Sequence, residues 1–230
     1  MTFTPLGDSA VVVALGAGID EEALRRVRAL TALLGGDRPA GICDVVPAYA
    51  TVTVFYDPGR LAGARPYETV CRYIAERSRN LEAEAKKKPA TVARVIEIPV
   101  CYGGEHGPDL GLVAEHCGLD AEDVVSKHRG ADYLVHAIGF APGFSYLGGL
   151  PAKLHTPRRP TPRVTVPTGS VGIGGAQTGI YPLATPGGWQ LIGRTPMALF
   201  RPDATEPALL RVGDRVKFRS ITAEEFAAWK

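Results

Sequence analysis

Across residues 139–196, 21 of 58 positions are glycine or proline, 12 and 9 respectively. A long helix does not survive that density, since each interior glycine costs about 1 kcal/mol and each proline about 3 kcal/mol relative to alanine. Aliphatic and aromatic residues nevertheless recur throughout the segment, which argues against disorder. Short strands between ordered turns remain. The apolar pieces at residues 164–166, 171–173 and 189–192 predict a small antiparallel barrel or sandwich with long ordered loops. Closing strands are expected at residues 197–200 and 214–218, and Thr222 should start a short terminal helix.

The chain upstream has a different texture. Residues 9–15 form a compact β-branched run that reads as a buried strand. Asp20 is placed to cap a helix whose first turn carries Glu21 and Glu22, favoured there by the helix dipole. Leu24, Val27, Leu30 and Leu34 repeat on one face, and Gly35-Gly36 ends the pattern. Residues 42–46 and 51–56 read as two strands flanking Pro47, and Asp57-Pro58-Gly59 as a turn. Pro66 opens a second amphipathic helix with Tyr67, Val70, Ile74 and Leu81 on its face. Residues 84–89 form a charged, proline-ended linker, so we place one domain at residues 1–88 and another at 89–230. The second opens with a strand at 92–100, two short helices closed by Gly118 and Gly130, and a strand at 133–138.

Charge is as uneven as glycine. From residue 133 to 202 there is no aspartate or glutamate, although the chain carries 24 of them. Lys153, Arg158, Arg159, Arg163, Arg194 and Arg201 leave this stretch at +6, while the rest of the chain stands at −4. Such a one-signed field favours an anionic ligand or an acidic partner surface. The same stretch has no carboxylate for general-base work or for holding magnesium. The net charge of +2 does not support nucleic-acid binding as a whole-protein property. With no basic n-region ahead of an apolar run and no dense cysteine framework, a reduced, cytoplasmic setting is expected.

Three runs carry the candidate chemistry. In residues 139–150, glycines flank Phe140, Phe144 and Tyr146; they either let a backbone approach a ligand beside an apolar wall or relieve crowding at a barrel corner. In residues 156–163, Arg158, Arg159 and Arg163 sit on proline-stiffened backbone suited to a phosphate or carboxylate, with a solvated basic loop as the bland alternative. Nothing acidic nearby in sequence neutralises them. In residues 166–182, Gly172-x-Gly174 is no dinucleotide fingerprint, because no helical run follows, and there is no Walker lysine. Ser145 lacks the glycine framing of a hydrolase elbow. His136, just before the aromatic run, is the best-placed titratable group, a structural histidine being the competing reading. Cys101, His106, His116 and Cys117 match no established zinc spacing.

These runs, together with residues 185–196, 5–10 and 102–110, resemble the family called allophanate hydrolase subunit 1, now mostly assigned as the B subunit of 5-oxoprolinase (PxpB), which includes sporulation kinase inhibitor-like proteins. The resemblance covers nearly the whole chain. It implies an α+β protein with a small N-terminal α/β domain followed by a cyclophilin-like β-barrel domain. It also implies PxpC-like and PxpA-like partner subunits that together open 5-oxoproline using ATP with magnesium. Among related proteins are the carboxyltransferase part of urea carboxylase and an inhibitor of a sensor histidine kinase, which give the alternative functions. Within this frame Arg158, Arg159, Arg163, Gln177, Tyr181 and Arg194 are candidate substrate or anion contacts, and Phe140, Phe144, Tyr146 and Trp189 the pocket wall. Glu105 and Asp109, the carboxylates inside a family-like motif, join His136 as candidate catalytic groups. The expectation is a half-site that a partner completes.

Overall fold

The computed structural model describes residues 1–18, 20–61, 63, 65–87 and 94–229. It divides into two compact units, Met1–Val92 and Ala93–Lys230. The expected boundary at 88/89 lies outside the described residues, as does the start of the strand expected at 92.

The first unit holds strands β1 (Thr2–Pro5), β2 (Ala10–Ala14), β3 (Ile42–Ala48) and β4 (Thr51–Tyr56), with helices α1 (Glu21–Gly35), α2 (Pro66–Arg77) and α3 (Leu81–Lys86). The strands lie in the order β1-β2-β4-β3, and every pair is antiparallel. The unit is the expected small domain of mixed helices and strands, and its sheet is antiparallel throughout. Strand β3 joins β4 through a tight turn, a connection that produces an antiparallel pair. Asp20 caps α1 by accepting from the Ala23 N–H at 2.7 Å. The leucine–valine face of α1 packs on Val11, Val13, Val52 and Val54, the alternate residues that β2 and β4 turn inward. Pro47 does not break β3: it pairs with Val52, since a proline φ fits extended backbone and costs only one donor. The first part of the expected linker, Glu84 to Lys86, is the end of α3.

The second unit contains β5 (Val95–Tyr102), α4 (Leu110–Cys117), α5 (Ala121–Gly130), β6 (Tyr133–Ile138), β7 (Ser145–Gly148), β8 (Arg163–Val166), β9 (Ser170–Gly174), β10 (Gln177–Ile180), β11 (Thr185–Gly187), β12 (Gln190–Arg194), β13 (Arg215–Ser220) and α6 (Ala223–Ala227). Seven of these strands run β6-β13-β5-β12-β9-β10-β7, and β7 returns to β6, closing a barrel. The expected α+β chain with a C-terminal barrel is what folds. One pair, β5 with β13, is parallel, because their ends are joined by most of the unit and not by a hairpin. Strands β8 and β11 form a separate two-stranded ribbon. The apolar residues 197–200 do not form the expected strand. Prolines at 196, 202 and 207 remove ladder donors, and only an isolated Phe200–Ala208 bridge forms.

Barrel interior and helices share one core, built from Ile98, Val100, Val113, Tyr133, Ile173, Ile192 and neighbours. Among these apolar groups α5 inserts His128, which is completely buried. Its Nδ1 lies 2.8 Å from the Tyr102 hydroxyl and its Nε2 3.0 Å from Thr178 Oγ1. Thr178 Oγ1 in turn donates to the Gly172 carbonyl at 2.9 Å. With that proton committed, Thr178 must accept from Nε2–H, so Nδ1 accepts from Tyr102. Burial lowers the His128 pKa from 6.5 to about 3, which keeps the ring neutral.

Candidate functional site

A second, smaller core of Phe144, Val166, Tyr181, Trp189 and Leu191 lies beside the main one. Strand alternation creates it: in β7 the residues Ser145 and Leu147 are fully buried, while Phe144 and Tyr146 point the other way. The rings meet edge to face, Phe144 lying 4.8 Å from Tyr146, 5.1 Å from Tyr181 and 5.6 Å from Trp189. Geometries of this kind satisfy the ring quadrupoles. Two glycines make room for them. A Cβ on Gly174 would sit 2.6 Å from the Trp189 ring, and one on Gly187 would sit 2.5 Å from the Tyr181 hydroxyl. At both positions glycine admits the protein's own aromatic ring.

Above these rings is a cleft of about 310 Å³. The Phe140, Phe144, Tyr146, Tyr181 and Trp189 side chains and both Arg158 and Arg159 line it, with the 186–188 turn of β11 and Pro162 closing one side. All four residues expected as pocket wall are present. The Arg158 guanidinium lies over the Trp189 ring, 5.6 Å from its centroid. It is also the positive charge felt by both tyrosines: burial pushes the Tyr146 and Tyr181 hydroxyls up, and Arg158 opposes the shift in each. Among the described residues no histidine, aspartate or glutamate lines the cleft.

Asp109 supplies the arginine run with a carboxylate that no sequence neighbour offers. This buried carboxylate, distant in sequence, accepts from Arg163 Nη2 at 2.7 Å and Arg159 Nη1 at 3.3 Å through Oδ1. Its Oδ2 accepts from the Leu191 N–H at 2.6 Å, and its own N–H donates to the Leu191 carbonyl at 2.9 Å. Asp109 is thus an anchor that ties the arginine loop to β12. It does not fit the expected role of a free acid or base, because both oxygens are engaged. Arg163 also reaches the Trp189 carbonyl at 3.4 Å and does not line the cleft.

The remaining candidates lie elsewhere. Arg194 donates from Nε to the Thr168 carbonyl at 2.7 Å and stacks on Phe226 of α6 at 5.7 Å. His106 stacks on that same ring at 4.3 Å, with exposed Glu105 3.8 Å away. His136 is buried at a bulge in the β6–β7 pairing, its ring filling the space where a Gly148 side chain would stand. Gln177 begins β10 and is half-buried. None of these five lines the cleft. Among the described residues no group of three or more His, Cys, Asp or Glu could hold a metal ion. Cys117 instead lies 3.6 Å from Thr156 Oγ1.

Sequence reasoning passed over His128 and misread Asp109. The i,i+4 spacing of Val124 and His128 signalled that the histidine shares an apolar helix face. Asp109 stands where a helix N-cap would, yet its side chain makes no cap bond, and only the fold brings the arginines to it.

Comparison with known proteins supplies the family. The sequence model of the carboxyltransferase domain, subdomains C and D, matches residues 1–210. The chain is 44% identical over 231 residues to the 5-oxoprolinase B subunit of Bacillus subtilis (strain 168), covering 98% of this chain and 95% of the relative. This chain belongs to the family of 5-oxoprolinase B subunits. It is 47% identical over 213 residues to the corresponding protein of Escherichia coli O157:H7, covering 93% of each. Among solved structures, TTHA0988 superposes with a TM-score of 0.78 at 40% identity, covering 93% of this chain but 40% of that one. The chain therefore spans less than half the length of TTHA0988.

Proposed function

We propose that this chain is a subunit of an ATP-dependent 5-oxoprolinase, the assembly that opens 5-oxo-L-proline to L-glutamate, and that its cleft holds the substrate. The observation that carries the reading is a cleft with the Arg158 guanidinium over an aromatic floor, Arg159 in its lining, and no histidine, aspartate or glutamate among the described lining residues. 5-Oxoproline is a small five-membered lactam bearing a carboxylate. Its ring faces suit Phe144, Tyr146 and Trp189, and its carboxylate suits Arg158 and Arg159. Identities of 44–47% to proteins named as this subunit favour 5-oxoproline over the urea and kinase alternatives.

A lactam amide resists water because resonance delocalises the nitrogen lone pair. Transfer of the ATP γ-phosphoryl group to the lactam oxygen makes the carbon electrophilic. Water then adds, the ring C–N bond breaks, and phosphate leaves. What this chain supplies is orientation and positive charge on an aromatic floor. The cleft does not fit a magnesium ion, which proteins hold through carboxylates that the described lining lacks, and Asp109 is already engaged. Metal and proton acceptor belong, in this reading, to the PxpC-like and PxpA-like subunits.

The test is reconstitution. The chain alone should turn over no 5-oxoproline, and mixing it with both partner subunits should give 5-oxoproline-dependent ATP hydrolysis. Arg158→Ala should raise KM for 5-oxoproline about tenfold or more, the scale of one charged hydrogen bond. An unchanged KM would remove the cleft from substrate binding.

A further inference from the structure

Phe140 is an anomaly for an isolated chain. It is one of two non-glycine residues with positive φ among those described, at +70°, and its side chain is 65% exposed. A left-handed backbone is unfavourable for a phenylalanine, and so is an aromatic ring in water. The ring makes an edge contact with Phe144, 5.4 Å between centroids, and stands at the mouth of the cleft. The Phe144 contact and the hydrogen bonds that close the 139–144 loop offset part of these costs, and strain of this kind gathers where a surface engages something else.

A second exposed apolar residue flanks the same cleft. Val164 is 87% exposed on β8, directly after the Pro162–Arg163 stretch that forms the cleft side and its anchor. The ribbon of β8 and β11 has no third strand among the described residues. Around these apolar residues the charge is one-signed. Asp109 pairs with both Arg159 and Arg163, one negative charge against two positive, whereas exposed Arg158 has no carboxylate partner among the described residues.

We propose that the cleft mouth, with Phe140 and Val164 as apolar anchors and Arg158 between cationic and aromatic surroundings, is the docking face for a partner protein that presents an acidic surface with an apolar recess. Exposed aromatic anchors ringed by polar groups have the composition of interface hot spots. A protein occupant is favoured because Val164 lies outside the cleft lining, beyond a ligand confined to it. It is favoured also because in TTHA0988 a unit like this one makes up only 40% of a longer chain, so there it is covalently joined to further polypeptide. The inference rests on the oxoprolinase reading for the partner's identity. Docking at the mouth also closes the cleft over its contents.

Binding of the purified PxpC-like subunit to the full chain, measured by calorimetry at two salt concentrations, tests this directly. Phe140→Gly should weaken association at least tenfold while leaving the melting temperature of the isolated chain equal or higher, because glycine relaxes the backbone. Val164→Glu should weaken association much more than Val164→Lys, and higher salt should shrink that difference. The proposal is overturned if the Phe140 and Val164 variants bind like the native chain, or if the native chain does not bind. It is overturned too if Phe140→Gly raises KM for 5-oxoproline with association intact, which would make the ring a ligand cover. A complex that forms through these residues yet turns over no 5-oxoproline would sink the functional reading and leave the docking face standing.

Discussion

Two buried polar residues in the second unit, Asp109 and His128, illustrate opposite ways of keeping a titratable group out of water. Asp109 gathers cations: two guanidinium groups and a backbone N–H converge on it from the arginine loop and β12. His128 stays neutral and takes part in a directed chain of neutral hydrogen bonds inside the barrel. The difference follows location. Asp109 lies under a loop whose arginines are partly solvated, so charge pairing there costs little desolvation on the arginine side. His128 has aromatic neighbours, Phe218 at 4.5 Å and Tyr133 at 5.3 Å, which cannot stabilise a cation at that depth without a counter-charge. A charged node positions a loop; a neutral one fills and orders a core.

The largest effect should come from breaking the charged node. Asp109→Ala leaves Arg163 and Arg159 without a counter-charge and the Leu191 N–H without its acceptor. We expect a loss of about 3–5 kcal/mol in urea unfolding, the cost typical of removing one member of a buried pair. A loss under about 1 kcal/mol would show that the arginines simply rotate into water. Replacing His128 by Phe keeps an aromatic ring but orphans Tyr102 and removes the donor to Thr178. A smaller loss of about 1–3 kcal/mol is expected by the same measurement.

Acid titration then separates the two nodes. The folded His128 pKa lies near 3 against 6.5 for an unperturbed histidine. Below pH 6.5 the unfolded chain binds a proton that the folded chain refuses, so stability should fall as pH drops from 6.5 towards 3, by about 1.4 kcal/mol per pH unit. The His128→Phe variant should lack that component of the slope, and two superimposable pH profiles would refute the neutral-core account. The smallest stability effect belongs to Arg158→Ala, within about 0.5 kcal/mol, because the residue is exposed and has no carboxylate partner among the described residues. Its measurable consequence should be the rise in KM for 5-oxoproline. A large loss of stability would instead move Arg158 from the cleft's chemistry to its architecture.

Local rules read much of this fold well. The caps at Asp20 and Thr222, the left-handed Gly118 after α4, and the strand at Tyr133–Ile138 all lie where residue type and spacing placed them. Strand β7 was harder, because its four residues lie inside a glycine-aromatic run that reads equally well as a ligand loop. Strand β10 is similar: Gly179 has little β propensity, the strand is only four residues long, and its pairing partners on both sides hold it extended. Of the site, the aromatic wall and Arg158 were legible as residue types in glycine-rich and proline-rich runs. That Arg163 and Arg194 do other work was not, since their partners Asp109 and Phe226 are 54 and 32 positions away in the sequence.

By itself, then, the sequence determined several helix starts, the short-strand texture of the second unit and its one-signed central charge, because each depends on neighbours a few positions apart. Only the tertiary structure decided which arginines face the cleft and which are tied down. That outcome depends on where a closed barrel brings one distant carboxylate, and barrel closure is a property of strand pairing between remote segments.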